Sequence, residues 1–382
     1  MKNQVMLMLR ASDKPEQKSM DDIPLNKLNT QIEHWFQRFC DRNIAFGRAE
    51  VRERLREAKR AIKGSGAGSG DGAGTGGVSS GVGGGASASN GAGACIGAST
   101  GAGSSASADS GAGSGAGADS GAGSGDGAGK GGACSCVGSL PAAWRDEGEF
   151  SSLLELKRAH TLRVVAYAGD IASSLNLPDE DICLSRIIGF LHDIGRFPQL
   201  RKHGTFSDSG GENHGKLGVM TMCDEGIDKW FPSSDFEIIS TSIIYHNVHV
   251  LPDIKDARAL THAKIIRDAD KLDILDFITE NIGENFYNIE QNAIPGDFDD
   301  HLIQDILDHK NLSIKAIKTR ADRILFDLSL IFDVYFPLSY EIIKRNSYAE
   351  KIVSPYIGQH PAISDIISST IRYIDERCVQ SQ

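Results

Sequence analysis

Six side chains of metal-binding type stand in this sequence where apolar residues would be expected: His160, His192, Asp193, His214, His246 and Asp270. His160 follows Leu156 by four residues and precedes Val164 by four, so on a helix it points into an apolar stripe. A lone histidine there would more often be a hydrogen-bonded core residue. Asp270 is harder to accommodate, because it lies four residues from both Ile266 and Ile274 on a stripe ending at Phe277. A buried carboxylate is costly unless it is paired or bound to metal. His192 and Asp193 close the apolar run Ile182 to Leu191, His246 completes a stripe after Ile239 and Ile243, and His214 shares a face with Leu217 and Gly218. Such groups on separate helices have little structural reason unless they converge, and a metal is the economical reason for convergence.

The elements that must position them read as helix nearly everywhere beyond Ser139, which implies an all-α bundle. Leu153, Leu156, Val164, Tyr167 and Ile171 mark one helical face. Leu177-Pro178-Asp179 then breaks the chain, with Asp179 placed to cap a helix running through His192, in which Gly189 leaves room for a close neighbour. Further helices are expected from about His214 to Glu225, Phe236 to His246, Ala259 to Thr279, and in pieces from Phe298 to Glu376. Residues 1–63 are charge-rich and carry Ile32, Trp35, Phe36 and Phe39 at helical spacing, a segment that should dock on something. Its end, Glu50 to Lys63, alternates Arg and Lys with Glu as a solvated helix does. Residues 64–138 are almost entirely Gly, Ala and Ser, with Ala108 to Gly115 repeated at Ala118 to Gly125. Such a composition buries too little apolar surface to offset chain entropy, so a disordered linker or insertion is expected there, rather than a silk-like sheet. Residues 139–382 form the remaining domain.

Net charge is −11, which argues against sequence-independent nucleic-acid binding by the whole molecule. The opening MKNQVMLMLR is too short in apolar residues for a signal core or a membrane span, and no later run is long enough. The seven cysteines form no paired CxxC zinc spacing. The chain reads as soluble and cytoplasmic, with reduced thiols.

The order His160, then His192-Asp193, then Asp270 resembles the H...HD...D pattern of the HD superfamily, helical bundles with metal-dependent phosphohydrolase activity. The resemblance runs from Leu153 to about Leu275, most specifically through Gly189-Phe190-Leu191-His192-Asp193-Ile194-Gly195-Arg196-Phe197 and Arg267-Asp268-Ala269-Asp270-Lys271-Leu272-Asp273. His214 and His246 match the two additional histidines of binuclear branches, including bacterial di-iron hydrolases of dinucleoside polyphosphates. Gly204 to Asp208 and Asn213-His214 resemble uncharacterised bacterial HD proteins in which a Trp-Phe helix precedes the first metal histidine. If Trp35 and Phe36 belong to that helix, the Gly-rich stretch interrupts one domain. The GYP signature of cyclic-di-GMP phosphodiesterases, the Glu-Asp pair of guanosine-tetraphosphate hydrolases and the His-rich continuation of deoxynucleoside-triphosphate hydrolases are all missing.

The resemblance implies that His160, His192, Asp193 and Asp270 hold one divalent ion and His214 and His246 a second, with Asp193 bridging. Iron, manganese or cobalt suits such a set, with magnesium, nickel or zinc as alternatives. Ions so held supply a water nucleophile at neutral pH, and Asp193 and Arg196 would serve catalysis. The implied partner is a small phosphorylated substrate of nucleotide type. Arg196, Lys202, Lys216, Arg267 and Lys271 flank the motifs as candidate phosphate ligands, Arg196 foremost because it follows the HD pair by one short turn; the others read equally well as surface cations. His203, His249 and His262 are assigned to supporting or surface positions. Two rivals remain: an HD-type di-iron oxygenase using the same six ligands, and a non-catalytic binding module, which the intact ligand set disfavours. Oligomeric state is not legible. Deleting Gly74 to Gly129 is expected to leave the melting temperature and turnover nearly unchanged; strong destabilisation would mean that the segment is folded.

Overall fold

The computed structural model describes residues 25–65, 146–208, 212–281 and 297–379, so the Gly/Ala/Ser-rich run assigned to 64–138 lies outside the described residues from position 66 onward. The architecture is all-α, with no strand among the described residues.

Helix α1 (Leu25–Ser65) buries Leu28, Ile32, Phe36, Phe39, Ile44 and Val51, a face set by the three-to-four residue period. That face packs on α2 (Glu147–Ser174) and α3 (Asp179–Leu191), the helices that carry the first two histidines. Phe36 meets Phe190 and Phe197 at ring-centroid distances of 5.7 and 6.4 Å, and Phe39 meets Phe197 edge-on at 5.3 Å. Polar ties flank the seam. Arg48 donates to Ser151 Oγ at 2.6 Å, and Arg158 on α2 donates to the Gln37 carbonyl at 3.3 Å.

Asp146 caps α2 by accepting from the Gly148 and Glu149 amides. The buried face of α2 runs through Phe150, Leu154, Lys157, His160, Val164, Ala168 and Ile171, one position away at its start from the expected Leu153 and Leu156. Lys157 therefore occupies a core position. At the start of α3 the N-cap is Pro178 and makes no side-chain cap bond, whereas Asp179, expected as the cap, is the first helical residue and meets the helix dipole instead. A Cβ on Gly189 would stand 3.0 Å from the Val165 Cα, so the glycine sets how closely α3 crosses α2.

Three short helices follow: α4 (Arg196–His203), α5 (His214–Asp224) and α6 (Ser233–Tyr245). The long α7 (Ala257–Glu280) packs on α2, α3 and α6 on one side and on the C-terminal helices on the other. Those are α8 (Asp300–Leu307), α9 (Arg320–Ser329), α10 (Pro337–Arg345), α11 (Tyr348–Val353) and α12 (Ala362–Val379). The fully buried Asp268 fastens the two sides, accepting from the Tyr335 and Phe336 amides and from Ser339 Oγ at 2.8 to 3.1 Å, where α10 begins. Asp276 on α7 likewise accepts from the hydroxyls of Tyr167 and Tyr348. Among the described residues no helix is long and apolar enough to cross a membrane.

Phe36 is completely buried between α1 and the helices carrying the histidines. Phe36→Ala is expected to cost about 3–5 kcal/mol of unfolding free energy, the usual range for deleting a core phenyl ring. Urea titration checks this, and a loss below about 1 kcal/mol would mean that α1 is not part of the cooperative core.

Candidate metal centre

Each of the four histidines has its Nδ1 bound from behind. His192 and His246 are the residues at which α3 and α6 end, and each donates from Nδ1 to the carbonyl three residues back, Gly189 at 2.7 Å and Ile243 at 2.6 Å. His160 donates from Nδ1 to Asp273 Oδ2 at 2.6 Å, and His214 to Asp208 Oδ2 at 2.8 Å. A proton held on Nδ1 leaves the neutral ring with its lone pair on Nε2, which is the ligand form of the side chain. All four Nε2 atoms point inward, and they pair at 3.2 Å for His160 with His192 and 3.0 Å for His214 with His246.

Two aspartates complete two groups of donors. His160, His192 and Asp270 form one, with Asp270 Oδ1 3.2 Å from His160 Nε2 and 3.8 Å from His192 Nε2. Asp193, His214 and His246 form the other, with Asp193 Oδ1 at 3.4 and 3.8 Å from the two Nε2 atoms. The second oxygen of Asp193 faces the first group, 3.6 Å from His160 Nε2 and 3.8 Å from His192 Nε2. Metal–ligand bonds of about 2.1 Å place adjacent donors about 3.0 Å apart at octahedral angles and about 3.4 Å apart at tetrahedral ones. The spacing and chemistry of both groups therefore suit a divalent ion.

The backbone makes this convergence possible. A Cβ on Gly195 would lie 2.1 Å from the His214 carbonyl oxygen, and one on Gly215 would lie 2.5 Å from the Ile243 carbonyl oxygen. Only glycine lets the turn after Asp193, the start of α5 and the end of α6 meet so closely. Arg267, fully buried on α7, donates from Nη1 to the carbonyls of Tyr245, His246 and Val248 at 3.0, 3.1 and 2.6 Å, and from Nη2 to Asp333. It satisfies carbonyls that the end of α6 would otherwise leave unpaired, and so fixes His246 from outside the ligand set.

Burial works against charge on Asp193, yet Lys157 and His192 hold its carboxyl well below the usual range. Lys157 Nζ stands 2.8 Å from Asp193 Oδ2, and Arg196 Nε 3.5 Å from Oδ1, so the carboxylate is steered at both oxygens. Burial pushes Asp270 up as well, but His160 and His192 lower it further than burial raises it. Burial depresses His192 to about 4 and His214 to about 3, the latter with help from Arg196. For His160, burial and Lys157 oppose charge, but hydrogen bonds to Asp270 and Asp273 outweigh them and raise it.

A cavity of about 70 Å³ adjoins the centre and is lined by Asp193, His214, His246 and Asp270 together with Lys157, Arg196 and Lys271. All six expected ligands are brought together, and of the expected phosphate-binding cations Arg196, Arg267 and Lys271 line the cavity. Arg196 is buried, and its Nη1 braces the following loop through Phe206 O, Gln199 Oε1 and Asp208 Oδ1. Lys271 pairs with Asp333 at 2.9 Å. Lys202 and Lys216 do not reach the cavity. On α5 a residue two positions after the inward His214 points away, so Lys216 is exposed, and the exposed Lys202 pairs with Glu212 at 3.1 Å. Arg267 is an internal clamp rather than a surface cation. His203 pairs with Glu212 and His249 lines the cavity, whereas His262 is buried apart from the centre between Ser185 and Asp181.

Sequence reasoning missed Lys157, Asp208, Asp273, Asn247 and Asp333. Lys157 left a signal in its spacing, three residues before His160 on the same helical face, and Asp208 and Asp273 stand inside the stretches that carry the family resemblance, without a role attached to them.

The site is a buried histidine–aspartate centre assembled from the ends and faces of a helical bundle. Residues 158–275 match the family model of the HD domain, and the chain carries an HD domain. No curated protein and no solved structure matches the chain.

His192 and His214 titrate in the folded chain near 4 and 3, against an ordinary 6.5. Between those values the unfolded chain binds protons that the folded chain does not, so stability falls as pH falls through 6.5. The slope is on the order of 1 kcal/mol per pH unit for each histidine, offset in part by the raised His160. Chelator-treated protein is expected to unfold at lower urea at pH 5 than at pH 7; a higher midpoint at pH 5 would contradict the assignment of buried neutral imidazoles.

Proposed function

We propose that this chain is a metal-dependent phosphohydrolase that cleaves a phosphoester or phosphoanhydride bond of a nucleotide. The observation that carries the reading is the pairing of two donor groups, His160–His192–Asp270 and Asp193–His214–His246, beside a small cavity walled by Lys157, Arg196 and Lys271. His160, His192 and Asp270 would hold one divalent ion and His214 and His246 a second, with Asp193 offering one oxygen to each. Such ions supply a water nucleophile at neutral pH and offset charge on phosphoryl oxygens. Lys157 and Arg196 hold the Asp193 carboxylate in one orientation and, with Lys271, give the cavity the positive wall that a phosphoryl group needs. The cavity is small, about 70 Å³, and lies directly beside the two donor groups.

Two sets of variants test the reading. His192→Ala and Asp193→Ala are each expected to strip metal and abolish phosphate release from a panel of nucleotides and dinucleoside polyphosphates. His214→Ala and His246→Ala are expected to stay folded by circular dichroism, to lower the metal-to-protein ratio towards one and to slow turnover severely. Full activity in either of the first pair defeats the assignment. Parental metal content and rate in both of the second pair defeat the two-ion form alone. Oxygen uptake without phosphate release would assign the same ligands to oxygenase chemistry.

A further inference from the structure

The small cavity at the ligands adjoins a second, larger cleft of about 650 Å³, and the two share His249, Asn311 and Asp333 as wall residues. The volume of the cleft falls within the range of small-molecule sites, about 300–1,000 Å³. Its walls differ in kind from those of the cavity. Three ring side chains, His249, Phe332 and Tyr335, face it, together with Leu251 and Pro252 from the irregular loop after His246. Lys264 Nζ lies 5.2 Å from the centre of the Tyr335 ring, and the Tyr335 hydroxyl donates to Asp333 Oδ1 at 2.9 Å, so the ring is held from two directions. Phe332, Tyr335 and Asn311 lie outside residues 158–275, so this wall comes from the C-terminal helical part and not from the matched domain.

We infer that this cleft binds the nucleoside portion of the substrate, with the base against Tyr335, Phe332 and Leu251 and the phosphoryl group in the adjoining cavity. The inference rests on the phosphohydrolase reading for the identity of the bound group. A cavity of about 70 Å³ is too small for a whole nucleotide, so the rest of the substrate would extend beyond it, and the shared wall at His249, Asn311 and Asp333 points to the adjoining cleft. Flat rings with apolar neighbours favour a flat partner, because stacking and apolar contact act through the same face. Lys264 keeps positive charge beside that wall, which suits an electron-rich ring attached to an anionic chain.

The test uses adenosine, which lacks phosphate and so reports on the cleft independently of metal chemistry. Chelator-treated full-length protein is titrated with adenosine, and with ribose as control, by saturation-transfer NMR and calorimetry. Adenosine is expected to bind and ribose not to. Tyr335→Ala and Leu251→Asp should each weaken adenosine binding at least fivefold, while Tyr335→Phe, which keeps the ring, should stay within twofold of the parent. Leu251 lies in an irregular loop, so its variant keeps the test decisive if Tyr335→Ala unfolds. Absence of adenosine binding to the parent, or parental affinity in a folded Leu251→Asp variant, overturns the inference. If phosphate is nonetheless released from small phosphoesters, the hydrolase reading survives that loss. Adenosine binding at the cleft without any phosphate release would have the reverse meaning.

Discussion

The fold is organised around one electrostatic requirement, the need to place a cation where four imidazole lone pairs converge. With each Nδ1 donating outward, to Asp273, Gly189 O, Asp208 or Ile243 O, the inner nitrogens stand lone pair to lone pair at 3.0 and 3.2 Å. Neutral rings cannot satisfy one another in that arrangement, because neither nitrogen has a proton to give. A metal ion placed there would accept both lone pairs. The flanking carboxylates of Asp193 and Asp270 add negative charge at the same place, and Lys157 answers only part of it.

The scaffold serves this requirement with unequal tools. Two histidines sit at helix ends, where carbonyls lack partners within the helix and can orient a ring at no cost to the helix itself. The other two need carboxylates brought from elsewhere, Asp273 one turn beyond Asp270 and Asp208 from the loop that Arg196 braces. Arg267 reaches across from α7 to hold three carbonyls at the end of α6, and Asp333 anchors it from the C-terminal part. The Arg267 guanidinium thus joins the end of α6 to the C-terminal helices, beside the Asp268 and Lys271 links that tie α7 to the same part.

The ligands were legible because they violate the helical pattern in which they sit: Asp270 between Ile266 and Ile274 has no reason to be acidic unless something pairs with it. Lys157 violates the same pattern, yet a lysine on a helix reads as surface, and the apolar stripe had been drawn through Leu153 and Leu156 instead of Phe150 and Leu154. Lys202 and Lys216 were drawn in by closeness in sequence, but on a helix two positions suffice to turn a side chain away from its neighbour's target. The contacts of Asp208 and Asn311 were hidden for a different reason. What brings them to the site is the path of the loops and of the C-terminal helices, for which side-chain type and spacing give no sign.

Phe36 and Phe39 on α1 close over Phe190 and Phe197, the aromatic residues just before and after the His192–Asp193 turn. The segment that matches the HD domain begins at residue 158, more than a hundred positions beyond those rings. A piece cut to the boundaries of the match would present two bare phenyl groups behind its own ligand turn, an invitation to self-association. The length of chain that can be recognised and the length over which the aromatic core closes are different quantities here, and the second includes α1.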